Sequence, residues 1–219
     1  MIAVAIDGPA GAGKSSIAKE IARRKGFIYV DTGALYRTIG LYCIRKGVDY
    51  KDAASVLDEI EVELKYENSQ QAMYLCGENV TSLIRTEEVS MAASAVSALP
   101  AVRAFLLQTQ RDLAAKNNVI MDGRDIGTVV LPNAEVKIFL TASPECRAKR
   151  RVDQLLEKGI VEDYDKVLEE VNIRDYNDSH REIAPLKPAS ESVIIDTTND
   201  TFEGSVERIL AVIEEKAGK

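Results

Sequence analysis

The chain has 219 residues, 46% of them hydrophobic, and a net charge of −7. That length buries a substantial core and fits one elaborated domain or one domain with an insert. The acidic balance excludes a general nucleic-acid binder, which needs a basic surface, although it leaves room for a locally basic pocket.

The apolar run Ile2-Ala3-Val4-Ala5-Ile6 leads straight into a glycine-rich loop, which leaves no place for a charged leader followed by a cleavable apolar stretch. No window has the apolar length of a membrane span. Cys43, Cys76 and Cys146 are odd in number, far apart and outside any CxxC pattern, so reduced structural thiols are expected. A cytoplasmic protein is expected, with no membrane or nucleic-acid partner, and a monomer by default.

Residues 2–6 form a short, fully apolar strand of the kind buried in a parallel sheet. Lys14–Lys25 reads as a helix, with Gly26 as its stop. Residues 27–30 predict a second strand and 32–45 a second helix. Strand–helix alternation this early points to an α/β domain. The middle departs from that rhythm. Val62, Leu64 and Tyr66 alternate with polar residues, 67–71 looks like a turn, 72–76 like a return strand, and Cys76-Gly77-Glu78-Asn79 like another reversal. A small antiparallel sheet over 61–81 follows from this pattern. Helices are expected over 89–98 and 102–116, separated by Pro100. The rhythm resumes with strands 119–121 and 136–140, helices 144–157 and 165–177, strand 193–195 and helix 202–216.

Gly8-Pro9-Ala10-Gly11-Ala12-Gly13-Lys14-Ser15 matches the phosphate-loop pattern GxxxxGK[ST], between an apolar strand and a helix. Glycines let the backbone curl so that its N–H groups converge on phosphate oxygens. The helix that follows adds its positive end. Lys14 is expected on the β- and γ-phosphates and Ser15 on Mg²⁺, with Ser16 completing the ATP-binding set. Asp122, at the end of the apolar strand 119–121, stands where a Walker-B carboxylate would approach the same ion. Arg124 and Asp125 follow it on the edge where α/β sheets bind ligands.

A guanine-reading switch usually carries Asn-Lys-x-Asp, and no Asn-Lys pair occurs in the chain. A small kinase instead needs arginines opposite the donor. Candidates recur. Thr32 is placed to cap the second helix, with Arg37 about a turn and a half further on. Arg147 and Arg151, with Lys149 and Arg150, crowd one helix that would serve as a lid over 147–159. Arg174, Asp178 and Arg181, spaced by four and three, share a helical face. His180, the single histidine, gets no catalytic role. On residues alone, a kinase for another small acceptor and a nucleotide-dependent switch both remain open.

The phosphate loop, Asp31-Thr32-Gly33-Ala34-Leu35-Tyr36-Arg37, Asp122-Gly123-Arg124-Asp125-Ile126-Gly127-Thr128, and the stretch from Arg174 to Arg181-Glu182-Ile183-Ala184-Pro185-Leu186 together resemble bacterial cytidylate kinases, end to end. The resemblance implies a P-loop NTP hydrolase-type three-layer α/β fold with a central parallel sheet. It divides the chain into a core of 1–60 and 99–219, an antiparallel insert of about 61–98 that binds the monophosphate, and a short helical lid. It implies an ATP:CMP phosphotransferase acting on CMP or dCMP with Mg²⁺. Arg37 and Arg124 would hold the acceptor phosphate and Asp125 would lie beside them. Ser94, Arg103 and Arg181 would read cytosine, Arg174 and Asp178 would hold the pentose, and Thr32 would line the pocket. Lys14, Arg37, Arg124, Arg147 and Arg151 would carry the transfer.

Overall fold

The computed structural model describes residues 1–67 and 70–218. Asn68 and Ser69, within the turn expected at 67–71, lie outside the described residues, as does Lys219. The chain forms two compact units, one of residues 1–29 with 117–219 and one of residues 30–116.

The first unit is built on β1 (Ala3–Asp7), β6 (Val119–Gly123), β7 (Val136–Thr141) and β8 (Val193–Asp196), joined at one edge by β2 (Ile28–Asp31). The order β2-β6-β1-β7-β8 makes a central parallel sheet. Apolar runs with no alternation, such as Ala3-Val4-Ala5-Ile6, suit strands covered on both faces. In register, Ile6 lies beside Asp122 and Asp7 beside Gly123. The loops that leave β1 and β6 therefore start at the same level of the sheet.

Helices α1 (Lys14–Lys25) and α7 (Phe202–Ala217) cover one face. Ile17 and Ile21 of α1 and Val206, Ile209 and Ile213 of α7 share one buried cluster with Val4, Ile6, Ile120, Ile138 and Leu140. Burying each such side chain contributes roughly 1.5–3 kcal/mol. Gly26 ends α1 in the left-handed conformation, and its N–H returns to Ala22 O. Helices α5 (Pro144–Glu157) and α6 (Tyr164–His180) pack on one another, each entered through a side-chain cap, Ser143 and Asp163. Between β6 and β7 a π-helical turn spans Ile126–Val130.

The second unit holds a three-stranded antiparallel sheet of β3 (Val62–Glu67), β4 (Gln70–Leu75) and β5 (Glu78–Asn79). Around it lie α2 (Thr32–Lys46), a 3-10 stretch Tyr50–Glu59, α3 (Glu87–Val96) and α4 (Pro100–Lys116). The expected reversal at Cys76-Gly77 is present, with both residues at positive φ. Pro100 opens α4, where its missing N–H costs nothing. Gly40 lets α2 lie against α3, because a Cβ there would come within 2.9 Å of Ala92 Cβ. This unit is wider than the 61–98 insert read from the sequence. It also takes in 30–60 and 99–116, since Leu35, Ile39, Val102 and Leu106 join Met73 and Leu75 in one core. Among the described residues no single helix is long and apolar enough to cross a membrane.

Candidate active site

The phosphate loop connects β1 to α1. Gly8, Gly11 and Gly13 have φ of 148°, 76° and 90°, a region side chains disfavour. Curling the amides toward an anion turns the carbonyls outward, where each needs a donor. Pro9 O accepts from Lys14 Nζ at 2.6 Å, Ala10 O from Arg147 Nη1 at 3.1 Å and Ala12 O from Thr197 Oγ1 at 3.5 Å. Lys14 is 5% exposed. Burial, reinforced by the nearby Arg124 charge, pulls its ammonium well below the ordinary lysine range, partly offset by Asp122, Asp7 and Asp178.

Ser15 Oγ donates to Asp122 Oδ2 at 2.7 Å, and Tyr29 Oη donates to Asp122 Oδ1 at 2.8 Å. A serine hydroxyl beside a buried carboxylate is the hard-oxygen donor set that suits Mg²⁺. The two expected metal contacts, Ser15 and Asp122, are thus neighbours and fit that ion. Sequence reading missed Tyr29, whose hydroxyl fixes the carboxylate from the adjacent strand.

Arg124 Nε donates to Asp178 Oδ2 at 2.7 Å, and Arg181 Nη2 lies 3.8 Å from Asp125 Oδ1. Burial alone would raise the Asp178 carboxyl. Arg124 in contact, with Arg174 and Arg181 nearby, outweighs burial and holds it below the usual carboxylate range. Asp178 and Arg174 lie on α6. Arg181 does not share their helical face, because it caps the helix in an extended conformation and donates through Nε to Ala184 O at 2.6 Å. His180 is exposed and stacks on Tyr176, with ring centroids 4.0 Å apart.

Asp7, which the sequence did not single out, is 1% exposed and accepts from the Ile126 and Gly127 amides, both at 2.7 Å. It caps the turn that follows Arg124 and Asp125 from the end of β1. Burial raises its carboxyl to about 6, against the two amides and Lys14, while Asp125 pushes it up further. Nothing local marks Asp7, since its partners lie 119 and 120 residues away.

The first turns of α5 differ from the lid expected at 147–159. Arg147 is 2% exposed, and its guanidinium serves Ala142 O, Ala10 O and the Asp175 carboxylate. Arg150 donates to Thr197 through Oγ1 and the carbonyl, at 3.3 and 2.7 Å. Arg147 buttresses the outer side of the phosphate loop directly at Ala10 O, and Arg150 does so through Thr197, which donates to Ala12 O. Arg151 is exposed.

In the second unit Asp31, not Thr32, caps α2, accepting from Ala34 N at 3.0 Å. The same carboxylate accepts from Arg37 Nη2 at 2.7 Å, with Arg85 at 3.8 Å. Gln71 holds the Asp31 backbone on both its N–H and its carbonyl. Thr32 is buried in the first turn. Arg103, 8% exposed, donates to Ser97 O at 3.0 Å and lies 5.7 Å from the centre of the Tyr36 ring. Ser94 is half-buried on α3, its carbonyl accepting from Ser97 Oγ.

The solved structure of a gluconokinase from Sinorhizobium meliloti resembles this chain with a TM-score of 0.51 at 15% identity, covering 99% of this chain and 94% of that one. At that identity the likeness carries the fold alone. Curated proteins named cytidylate kinase are much nearer. Those of Lactobacillus gasseri and Bacillus licheniformis are each 48% identical, covering 99% and 100% of this chain and 95% and 98% of their own. The cytidylate kinase of Mycobacterium leprae is also 48% identical, over 99% of this chain and 97% of its own. The family model described as cytidylate kinase matches residues 4–215. With the phosphate loop, the Ser15–Asp122 pair and the Arg124–Asp178 pair set on one sheet edge, the chain belongs to the cytidylate kinase family.

Proposed function

We propose that the chain transfers the γ-phosphoryl group of ATP to CMP or dCMP, giving ADP and CDP or dCDP, as a step of pyrimidine nucleotide metabolism. The observation that carries this is the full-length family match on a chain whose phosphate loop and Arg124–Asp178 pair lie on the same edge of one sheet. The same reading makes the enzyme a cytoplasmic monomer, which size-exclusion chromatography with light scattering of a cell extract and the pure protein checks.

No general base is needed. A phosphate monoester has its second pKa near about 6, so the acceptor is already mostly dianionic at neutral pH. Catalysis then reduces to alignment and charge compensation. Lys14 and the loop amides hold the β- and γ-phosphates. Mg²⁺ bound at Ser15 and Asp122 would draw charge from the phosphate oxygens. Arg37 and Arg124 align the attacking phosphate. Arg37 Nε is buried with no hydrogen-bond partner among the described residues, while Nη2 is held by Asp31. Asp125 sits beside Arg124, Thr32 lines the nucleoside pocket, and Arg174 and Asp178 take the pentose. Ser94, Arg103 and Arg181 read the base.

A coupled ADP-release assay across nucleoside monophosphates and shikimate tests the acceptor. Turnover is expected to rise most with CMP and dCMP, and acceptor-independent or shikimate-driven turnover would overturn the reading. Arg181→Ala is expected to raise KM for CMP by roughly tenfold or more with KM for ATP little changed, the pattern of a lost polar contact to one substrate. Equal shifts in both constants would remove Arg181 from base reading.

The exposed end of α5 with the turn after it, 151–159, acts as the lid that excludes water from the reacting phosphates. Arg151→Ala is therefore expected to slow kcat by about tenfold or more, as loss of a transition-state cation does, at an unchanged thermal midpoint. A lower midpoint with normal turnover would make Arg151 a structural surface residue.

A further inference from the structure

Arg147 is the donor that meets the outward carbonyl of Ala10 in the phosphate loop. Its side chain also packs under the loop, since a Cβ on Gly11 would come within 3.2 Å of Arg147 Cβ. What fixes the guanidinium is Asp175. Nη1 reaches Oδ1 at 2.9 Å and Nη2 reaches Oδ2 at 2.5 Å, a two-pronged fork that sets both the plane and the direction of the group. Asp175 lies on α6, directly after Arg174 and one turn before Asp178. One helix thus carries Arg174 and Asp178 and, between them, the carboxylate that aims the donor beneath the phosphate loop.

We propose that Asp175 is a positioning residue for ATP, acting through Arg147 on the Ala10 carbonyl and so on the aim of the loop amides. Without the carboxylate, the fork opens, and a buried guanidinium with its charge uncompensated no longer holds one orientation under the loop. The amides on the far side of the same peptide groups then drift from their converging geometry. Asp175 touches no nucleotide in this account. It nevertheless governs the donor and not the acceptor, although its neighbours on α6 are the proposed pentose contacts. The inference rests on the phosphate loop being the donor site.

The direct test is titration of the full-length protein with a fluorescent ATP analogue and no acceptor, alongside KM for ATP and for CMP. In Asp175→Asn the analogue is expected to bind about tenfold more weakly and KM for ATP to rise in step, a loss of the size produced by small misplacement of a binding group. KM for CMP should stay within about twofold even though the uncompensated Arg147 charge lowers the thermal midpoint, and Asp175→Glu should bind the analogue more tightly than Asp175→Asn. Unchanged analogue affinity, or a KM for CMP that rises as much as KM for ATP, overturns the proposal. Should Asp175→Asn fail to fold, Arg147→Lys keeps the charge but cannot form the fork, and the same two outcomes decide. Because the titration uses no acceptor, it stands even if the acceptor panel overturns CMP, and its failure leaves that panel untouched.

Discussion

Replacing Lys14 with methionine is expected to lower kcat by roughly 10²–10³-fold or more while leaving the folded chain at least as stable as before. The first effect is the loss of the cation that compensates charge on the transferring group, and single preorganised donors carry penalties of that order. The second follows from the cost of the ammonium itself. Burial and the Arg124 charge lower its pKa from 10.5 to about 7, so the charged form is disfavoured in the folded chain. The unfolded chain binds the extra proton between those two values, and stability therefore rises with pH across that window. The penalty is fully present below the lower value and gone above the upper one. Methionine has nearly the same length and no charge, so its variant should lack this slope. Urea unfolding of both proteins from pH 6.5 to 10 reads the difference, and ADP release reads kcat. Near-normal turnover sinks the donor assignment; earlier unfolding of the variant at the acid end sinks the electrostatic one.

Gly8→Ala is expected to cost about 4 kcal/mol or more, enough to move the midpoint of a chain this size by roughly 8–16 °C or more. A Cβ at Gly8 would stand 1.9 Å from Leu140 O and 3.0 Å from Leu140 C. Both are backbone atoms of β7, which cannot rotate away. Gly8 also has φ of 148°, so an alanine meets a strained backbone as well as a collision. Relief requires β1 and β7 to part where Asp7 and Phe139 are paired in the sheet. The measurement is thermal and urea unfolding of the purified variant. A midpoint within a few degrees of wild type would show that the loop can re-route, contrary to this packing. Gly13 shows the backbone strain alone, because its φ is 90° but a Cβ there has 3.6 Å to its nearest neighbour, the flexible end of Ile17.

Much of the first unit is legible in the sequence, since unbroken apolar runs, a signature loop and glycine stops are local signals. The phosphate loop, the strand carrying Asp122 and the helix begun by Pro144 stand as expected. Helix α6 runs beyond the expected 177 to His180, because Asp178 and Ser179 lack a glycine or proline to stop it. Sequence reading missed the 3-10 stretch Tyr50–Glu59, although Tyr50, Ala53, Val56 and Leu57 recur at helical spacing and face the core. Roles were harder to see than elements. A lysine-arginine cluster on α5 looks like a free cationic face until Asp175, 28 residues on, and Ala10, 137 residues back, are seen to claim Arg147. Asp7, Tyr29 and Thr197 were invisible for the same reason: a capping or buttressing contact made across the fold leaves no spacing to find.

The strands on either side of residues 30–116 are next to one another, with the Ile28 amide donating to Asn118 O at 2.9 Å. A chain that departs and returns at adjoining positions can accommodate an interposed module of almost any length without opening the hydrogen-bond ladder around it. That makes the locus a natural graft point. Exchanging the stretch for one of different size would leave β1, the phosphate loop and its arginine backing in their covalent and hydrogen-bonded frame.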